Sequence, residues 1–109
     1  MPLRLISKKL YQEISKLEPF GMGNPEPVFA TEDVLVSEIR KIGRDSNHLK
    51  MKLENGGKTF DAVGFGLANM YDIDHGDQIS IAYTIDENEW QGKKSLQLKI
   101  RDIKPERLN

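Results

Sequence analysis

The chain has 109 residues, 38% hydrophobic and 30% charged, with a mean hydropathy of −0.55, which is one domain's worth of protein with one ordinary core. No apolar run approaches the ~18 residues of a membrane helix, and the N-terminal MPLRLISKKL lacks the apolar region and cleavage site of a secretory signal. The lack of cysteine excludes disulfide scaffolds, thiolate zinc sites and cysteine nucleophiles together, and fits a reducing cytoplasm, the expected location, with no membrane partner.

The formal net charge of −1 argues against a protein that holds nucleic acid by bulk charge. Its distribution says more. Residues 1–27 carry 4 Lys/Arg against 3 Asp/Glu, and residues 28–57 carry 5 against 5. Residues 58–92 carry 1 against 7, and residues 93–109 carry 6 against 2. A basic last segment in a neutral chain points to one basic surface.

Leu3, Ile6, Leu10, Ile14 and Leu17 are spaced 3, 4, 4 and 3 residues apart, one stripe of an amphipathic helix with Lys8, Lys9, Glu13 and Lys16 on its wet side. Pro19 ends it. The stripe is narrow and suits packing on its own domain better than on a foreign partner. Glu18 to Pro27 holds three prolines and two glycines in ten residues, a stiff, turning connector.

The remainder reads as β. Residues 28–42 form a long first strand; Ile39 and Ile42 fall out of the frame of Val34 and Val36, which predicts a bulge between Val36 and Ile42. Gly43 to Asn47 is a turn. His48 to Leu53 alternates apolar and polar without error, a half-buried strand, and Asn55-Gly56-Gly57 is a hairpin signal. A third strand runs from Thr59 to Phe65. Leu67 to Tyr71 suits one or two helical turns. Ile79, Ile81, Tyr83 and Ile85 mark a fourth strand, residues 86–92 a loop, and Leu96, Leu98 and Ile100 a fifth strand. The order β-β-β-α-β-β is that of the OB-fold, a five-stranded, mainly β Greek-key barrel, here with an N-terminal linking α-helix. An SH3-like barrel is the alternative, but it normally lacks the inserted helix. The expected division is 1–18 linking helix, 19–27 connector, 28–104 barrel and 105–109 tail.

Gly21-Met22-Gly23 and Gly64-Phe65-Gly66 are both GxG, but neither completes a GxGxxG or precedes a Lys-Ser/Thr pair, so neither is a phosphate cradle. Asp72, Asp74, His75 and Asp77 are the one cluster with metal-ligand chemistry. Beside Gly76 they read better as ordinary turn residues of a solvated loop, since no second cluster completes a coordination sphere. With two isolated histidines no catalytic triad can be assembled, and no metal, cofactor or catalytic residue is assigned to this chain.

The basic alternation carries more. His48, Lys50 and Lys52 point outward on the second strand; Gln97, Lys99 and Arg101 do so on the fifth, with Lys93 and Lys94 just before it. Arg44 and Trp90, the only tryptophan, lie in the two loops that flank the ligand groove of an OB-fold. Such folds bind single strands with a basic track for phosphates and aromatic faces for bases. Outward lysines also simply solubilise a sheet; the group together with a loop tryptophan favours binding.

Leu17-Glu18-Pro19-Phe20-Gly21-Met22-Gly23-Asn24-Pro25-Glu26-Pro27-Val28-Phe29 closely resembles the linker of the bacterial RecJ family of single-stranded-DNA-specific 5′ exonucleases. His48-Leu49-Lys50, Asp61 to Gly66, Glu89-Trp90-Gln91-Gly92 and Ser95 to Leu98 extend the resemblance over roughly residues 12–103. It implies an OB domain that follows a DHH-type catalytic core, holds single-stranded DNA and feeds it to a nuclease site. It also implies Mn²⁺ or Mg²⁺ in that core, and a role in DNA repair and recombination. No DHH triplet is present, so the chain is expected to be a C-terminal piece without catalysis of its own. The resemblance supports Trp90, Lys50, Gln97 and Lys99 as DNA contacts. Arg44 and Lys93 rest on the basic face alone, and His48, Lys52, Lys94 and Arg101 are expected as contacts on that same face. The alternative function is a protein-interaction module that docks the nuclease onto another repair factor through an acidic tail.

Overall fold

The computed structural model describes residues 1–106; the last residues of the expected tail lie outside the described residues. The chain order is a 3₁₀ turn at Leu3–Leu5, a helix α1 at Lys8–Ser15, and five strands: β1 Phe29–Ile42, β2 His48–Asn55, β3 Lys58–Gly64, β4 Gln78–Trp90 and β5 Lys93–Pro105. The strands close into a barrel in the order β1-β2-β3-β5-β4, mainly β and consistent with the OB-fold. All pairings are antiparallel except β3 with β5.

The first strand bends where its pattern breaks. Its register against β2 shifts between Val36 and Glu38, and the Ser37 hydroxyl at the extra residue donates to the Lys52 carbonyl at 3.0 Å. A second irregularity lies between Thr31 and Val34, where Asp33 takes a φ of 57°. Two bends let one strand pair with β4 at one end and β2 at the other, which is how the barrel closes. Inside, Tyr83 is fully buried, and its hydroxyl lies 2.8 Å from that of Thr31.

Three local expectations give way to tertiary contacts. The N-terminal stripe is not one helix. The chain is extended at Ile6 and Ser7, and Ser7 caps α1 by accepting from the Leu10 N–H at 3.1 Å. Leu3 and Ile6 are fully buried in the barrel's core cluster, with the Leu3 N–H donating to Asn55 Oδ1 at 3.0 Å and Lys58 Nζ donating to the Ile6 carbonyl at 2.5 Å.

The helix expected at Leu67–Tyr71 is a single turn, closed by the Met70 N–H on the Leu67 carbonyl at 3.1 Å. Five residues are too few to offset helix nucleation, and the Ala68 N–H is taken by the Asn47 carbonyl at 3.1 Å. Residues 86–90, expected as loop, continue β4; the ladder runs to Trp90 opposite Lys93. Gln91 (φ 51°) and Gly92 (φ 78°) form the two-residue turn, with positive φ at both positions. This ribbon projects past the core and is polar, so no hydrophobic alternation marks it.

Candidate nucleic-acid interface

The barrel register sorts the outward side chains into rows that run across the strands. Arg40 on β1 pairs with Lys50 on β2, Lys50 with Val63 on β3, Val63 with Lys99 on β5, and Lys99 with Thr84 on β4. Arg40, Lys50 and Lys99 therefore make one row with no carboxylate in it. Val63, between the two lysines, is 6% exposed yet lies outside the core cluster, as expected where flanking aliphatic stems cover a sheet's outer face.

The next row toward the β2–β3 turn is Glu38, Lys52, Asp61, Gln97 and Asp86. Here Lys52 has an acid on each side, and Gln97 stands between Asp61 and Asp86. A shallow cleft of about 370 Å³ spans both rows, with Glu38, Arg40, Lys50, Lys52 and Asp61 around Ile39 and Met51.

At one end of the face lies the β1–β2 turn, which carries Arg44 in an exposed position. His48 begins β2 there, and its Nδ1 accepts the Gly66 N–H at 2.8 Å. A Cβ on Gly43, whose φ is +92°, would lie 2.6 Å from the His48 Cδ2, so the ring fills the space that glycine leaves. The imidazole also packs against Phe65 in a T-shaped pair, 5.4 Å between centroids at 77°. His48 is thus a tether between the β1–β2 turn and the turn after β3.

At the other end the β4–β5 ribbon carries Trp90, 72% exposed, opposite Lys93. Lys94 lies 3.9 Å from Glu87. Arg101 occupies the extra position of a bulge, since Ala82 pairs with Asp102 and Tyr83 with Ile100. Its guanidinium lies 4.0 Å from the Glu26 carboxylate of the connector.

Of the residues expected to bind, the fold thus brings Lys50 and Lys99 into one row, puts Lys52 and Gln97 in the acid-flanked row beside it, and sends Arg44 and His48 to one end and Trp90, Lys93 and Lys94 to the other. Two further residues that the structure places on this face, Arg40 in the row with Lys50 and the exposed Phe65, are not among those expected from the sequence. The signal for Arg40 was present in the broken frame: once Ile39 points inward after the bulge, Arg40 must point out. Phe65 carried none, because an exposed aromatic between two glycines looks like any turn residue.

The connector is itself built rigidly: Gly21 and Asn24 exchange backbone hydrogen bonds at 2.9 and 3.0 Å, and the Asn24 amide donates to the Leu17 and Pro19 carbonyls at 2.6 and 2.7 Å. In the acidic loop the Asp77 carboxylate accepts the Asp74 N–H at 2.9 Å. Among the described residues no group of three or more His, Cys, Asp or Glu is placed to hold a metal ion, so the donor set does not fit Mg²⁺ or Mn²⁺. No described helix is long and apolar enough to cross a membrane.

Comparison with known proteins agrees with the fold. Residues 1–102 match the family described as the RecJ OB domain. The chain is 38% identical over 91 residues to the single-stranded-DNA-specific exonuclease RecJ of Bacillus subtilis, covering 83% of this chain and 12% of that protein. It is 38% identical over 95 residues to the RecJ of Haemophilus influenzae, covering 84% of this chain and 16% of that one. Two crystal structures of RecJ from Thermus thermophilus, with Mg²⁺ and with Mn²⁺, superpose with TM-scores of 0.70 and 0.69 at 24% and 27% identity. They cover 93% of this chain, and 15% and 14% of those chains. The chain therefore spans less than a fifth of the relatives it matches. With the barrel, the connector and nearly the whole length in agreement, the chain belongs to the RecJ OB-domain family.

Proposed function

We propose that this chain is the single-stranded-DNA-binding module of a RecJ-like, metal-dependent 5′→3′ exonuclease that acts in the cytoplasm in DNA repair and recombination. Its outer β1-β2-β3-β5 face holds the strand for the catalytic core of the same parent protein, and Mg²⁺ or Mn²⁺ would belong to that core. The observation that carries the reading is the carboxylate-free row of Arg40, Lys50 and Lys99 across three strand spacings, about 14 Å of cationic surface. In a chain of net charge −1, such a row gives a polyanion a local track. Arg44 at one end, and Lys93 and Trp90 at the other, serve strands long enough to reach them.

Fluorescence anisotropy of labelled oligonucleotides tests this. Affinity should rise with single-strand length to a site of roughly 4–16 nucleotides. If three phosphates are neutralised, log K should fall with log salt at a slope of about 2. Indifference to strand length, with capture of an acidic peptide instead, would move the assignment to a docking module for another repair protein.

A further inference from the structure

Gly64-Phe65-Gly66 is no phosphate cradle, yet both of its glycines are used. A Cβ at Gly64 would lie 2.8 Å from Leu67 Cδ1, and Gly66 has a φ of +73°. The first permits the close approach of buried Leu67; the second makes the turn. Between them Phe65 is pushed outward and left 61% exposed. It is not loose: His48 supports the ring edge-on and holds the next residue's N–H.

Phe65 lines a cleft of about 380 Å³ together with Lys99, Arg101, Thr84, Leu67 and Glu26, a size suited to a small organic group. Lys99 belongs both to this cleft and to the cationic row, so the cleft continues the row. The route from that row to Trp90 first crosses the row that holds Glu38, Asp61 and Asp86, where a phosphate is repelled.

We propose that Phe65 is a base-stacking platform of this domain: one nucleobase of a single strand lies on its ring, with the adjoining phosphate held by Lys99. The inference rests on the DNA-binding reading and deepens it. Short strands engage Phe65; only longer ones gain Trp90.

The test uses oligothymidylates of about 5 and about 15 nucleotides with the 109-residue chain and its Phe65→Ala, Trp90→Ala and Lys50→Ala variants. Phe65→Ala should weaken binding of the short strand by roughly 5- to 150-fold with an unchanged salt slope, as expected for an uncharged stacking contact. Trp90→Ala should weaken only the long strand. Because Phe65 is exposed, the variant's melting curve should match the parent's. As a direct probe, Phe65→Trp in a Trp90→Phe background should lose fluorescence when the short strand binds. If Lys50→Ala weakens binding while Phe65→Ala does not and the fluorescence of the introduced indole stays unquenched, the platform is wrong and the binding face stands. If neither Lys50→Ala nor Phe65→Ala has any effect, the face and the platform fall together.

Discussion

The imidazole of His48 and the backbone of Gly66 are joined by a 2.8 Å hydrogen bond in which Nδ1 accepts the N–H. The bond links the first residue of β2 to the turn that follows β3, and the acceptor role requires the ring to be neutral with its proton on Nε2. A residue that reads as one more outward polar side chain is thus a structural tether under an exposed aromatic.

Replacing His48 with alanine should leave the Gly66 amide without that partner. The expected loss of stability is about 1–2 kcal/mol, measured by urea unfolding. Amide hydrogen exchange gives the sharper reading: Gly66 should speed up through local opening at the turn, whereas the β2–β3 ladder at Met51 and Ala62 should speed up only by the factor that the lower global stability sets. Unchanged exchange at Gly66 would mean the tether is not formed in solution.

The rows make a quantitative distinction among lysines that look alike in sequence. Arg40→Ala, Lys50→Ala and Lys99→Ala should each shallow the salt dependence of single-strand binding by about 0.7. Lys52→Ala should change it less, because Glu38 and Asp61 flank Lys52 in the ladder and compete for its charge. An equal effect at all four positions would show that the row arrangement does not govern contact with phosphate.

Arg101 faces the Glu26 carboxylate at 4.0 Å, and both side chains are partly exposed. An exposed pair of this kind contributes little to stability, so Glu26→Gln should leave the melting temperature nearly unchanged. It should strengthen single-strand binding and steepen the salt slope by as much as about 0.7, as Arg101 becomes free to meet a phosphate. Glu54→Gln, on β2 and away from both clefts, serves as the control for general loss of negative charge; an equal gain there would remove Arg101 from the account.

Leu3 and Leu17 belong to the same sequence stripe but not to the same environment. Leu3 is fully buried and Leu17 is 52% exposed. Leu3→Ala should cost about 2–5 kcal/mol of stability, the range for a buried leucine. Leu17→Ala should stay within about 0.5 kcal/mol. Removal of residues 1–7 should accordingly lower the cooperative melt of the barrel, and a truncated chain that melts like the parent would show that Leu3 and Ile6 only cover a core complete without them.

Asp33 and Glu106 form a carboxylate pair where the β1 irregularity meets the end of β5. Repulsion from Glu106 raises the Asp33 pKa above the ordinary aspartate value. Hydrogen bonds from the Ser80 hydroxyl and the Asp33 backbone N–H lower that of Glu106. The two signs are opposite. The folded state holds the Asp33 proton more tightly than the unfolded chain, so stability falls as pH rises from the ordinary aspartate value through the raised one. Glu106 contributes stability above the ordinary glutamate value and loses it as pH falls through its lowered one. Carboxyl NMR titration should show both directions, and Glu106→Gln should return Asp33 to the ordinary range. An Asp33 titration unmoved by that change would assign its shift to another cause.

Much of the fold is written locally. The alternation from His48 to Leu53 and from Ile79 to Ile85 marks strands because side chains on a pleated strand alternate with period two. The misplaced Ile39 announces the bulge for the same reason. Asn55-Gly56-Gly57 and the proline-rich connector declare turns through backbone freedom and its absence, and the connector's residues also carry the family resemblance. Lys50 and Lys99 were legible as outward cations on those grounds alone.

What the chain could not declare locally is whatever depends on partners far along it. No pattern within β5 says which of its residues lies beside Val63, so the meeting of Arg40, Lys50 and Lys99 in one row, and the acids flanking Lys52, follow only from the closed barrel. The same holds for Leu3 and Ile6, drawn out of a helix by the core and by Asn55 and Lys58, and for the segment from Leu67, whose Ala68 amide is claimed by the β1–β2 turn. Residues 86–90 stay paired on a ribbon with little apolar surface to bury, so the ladder itself, not hydrophobic alternation, makes them a strand. Local sequence determines backbone period and turns, whereas register between distant strands is decided by the tertiary packing that buries their inward faces together.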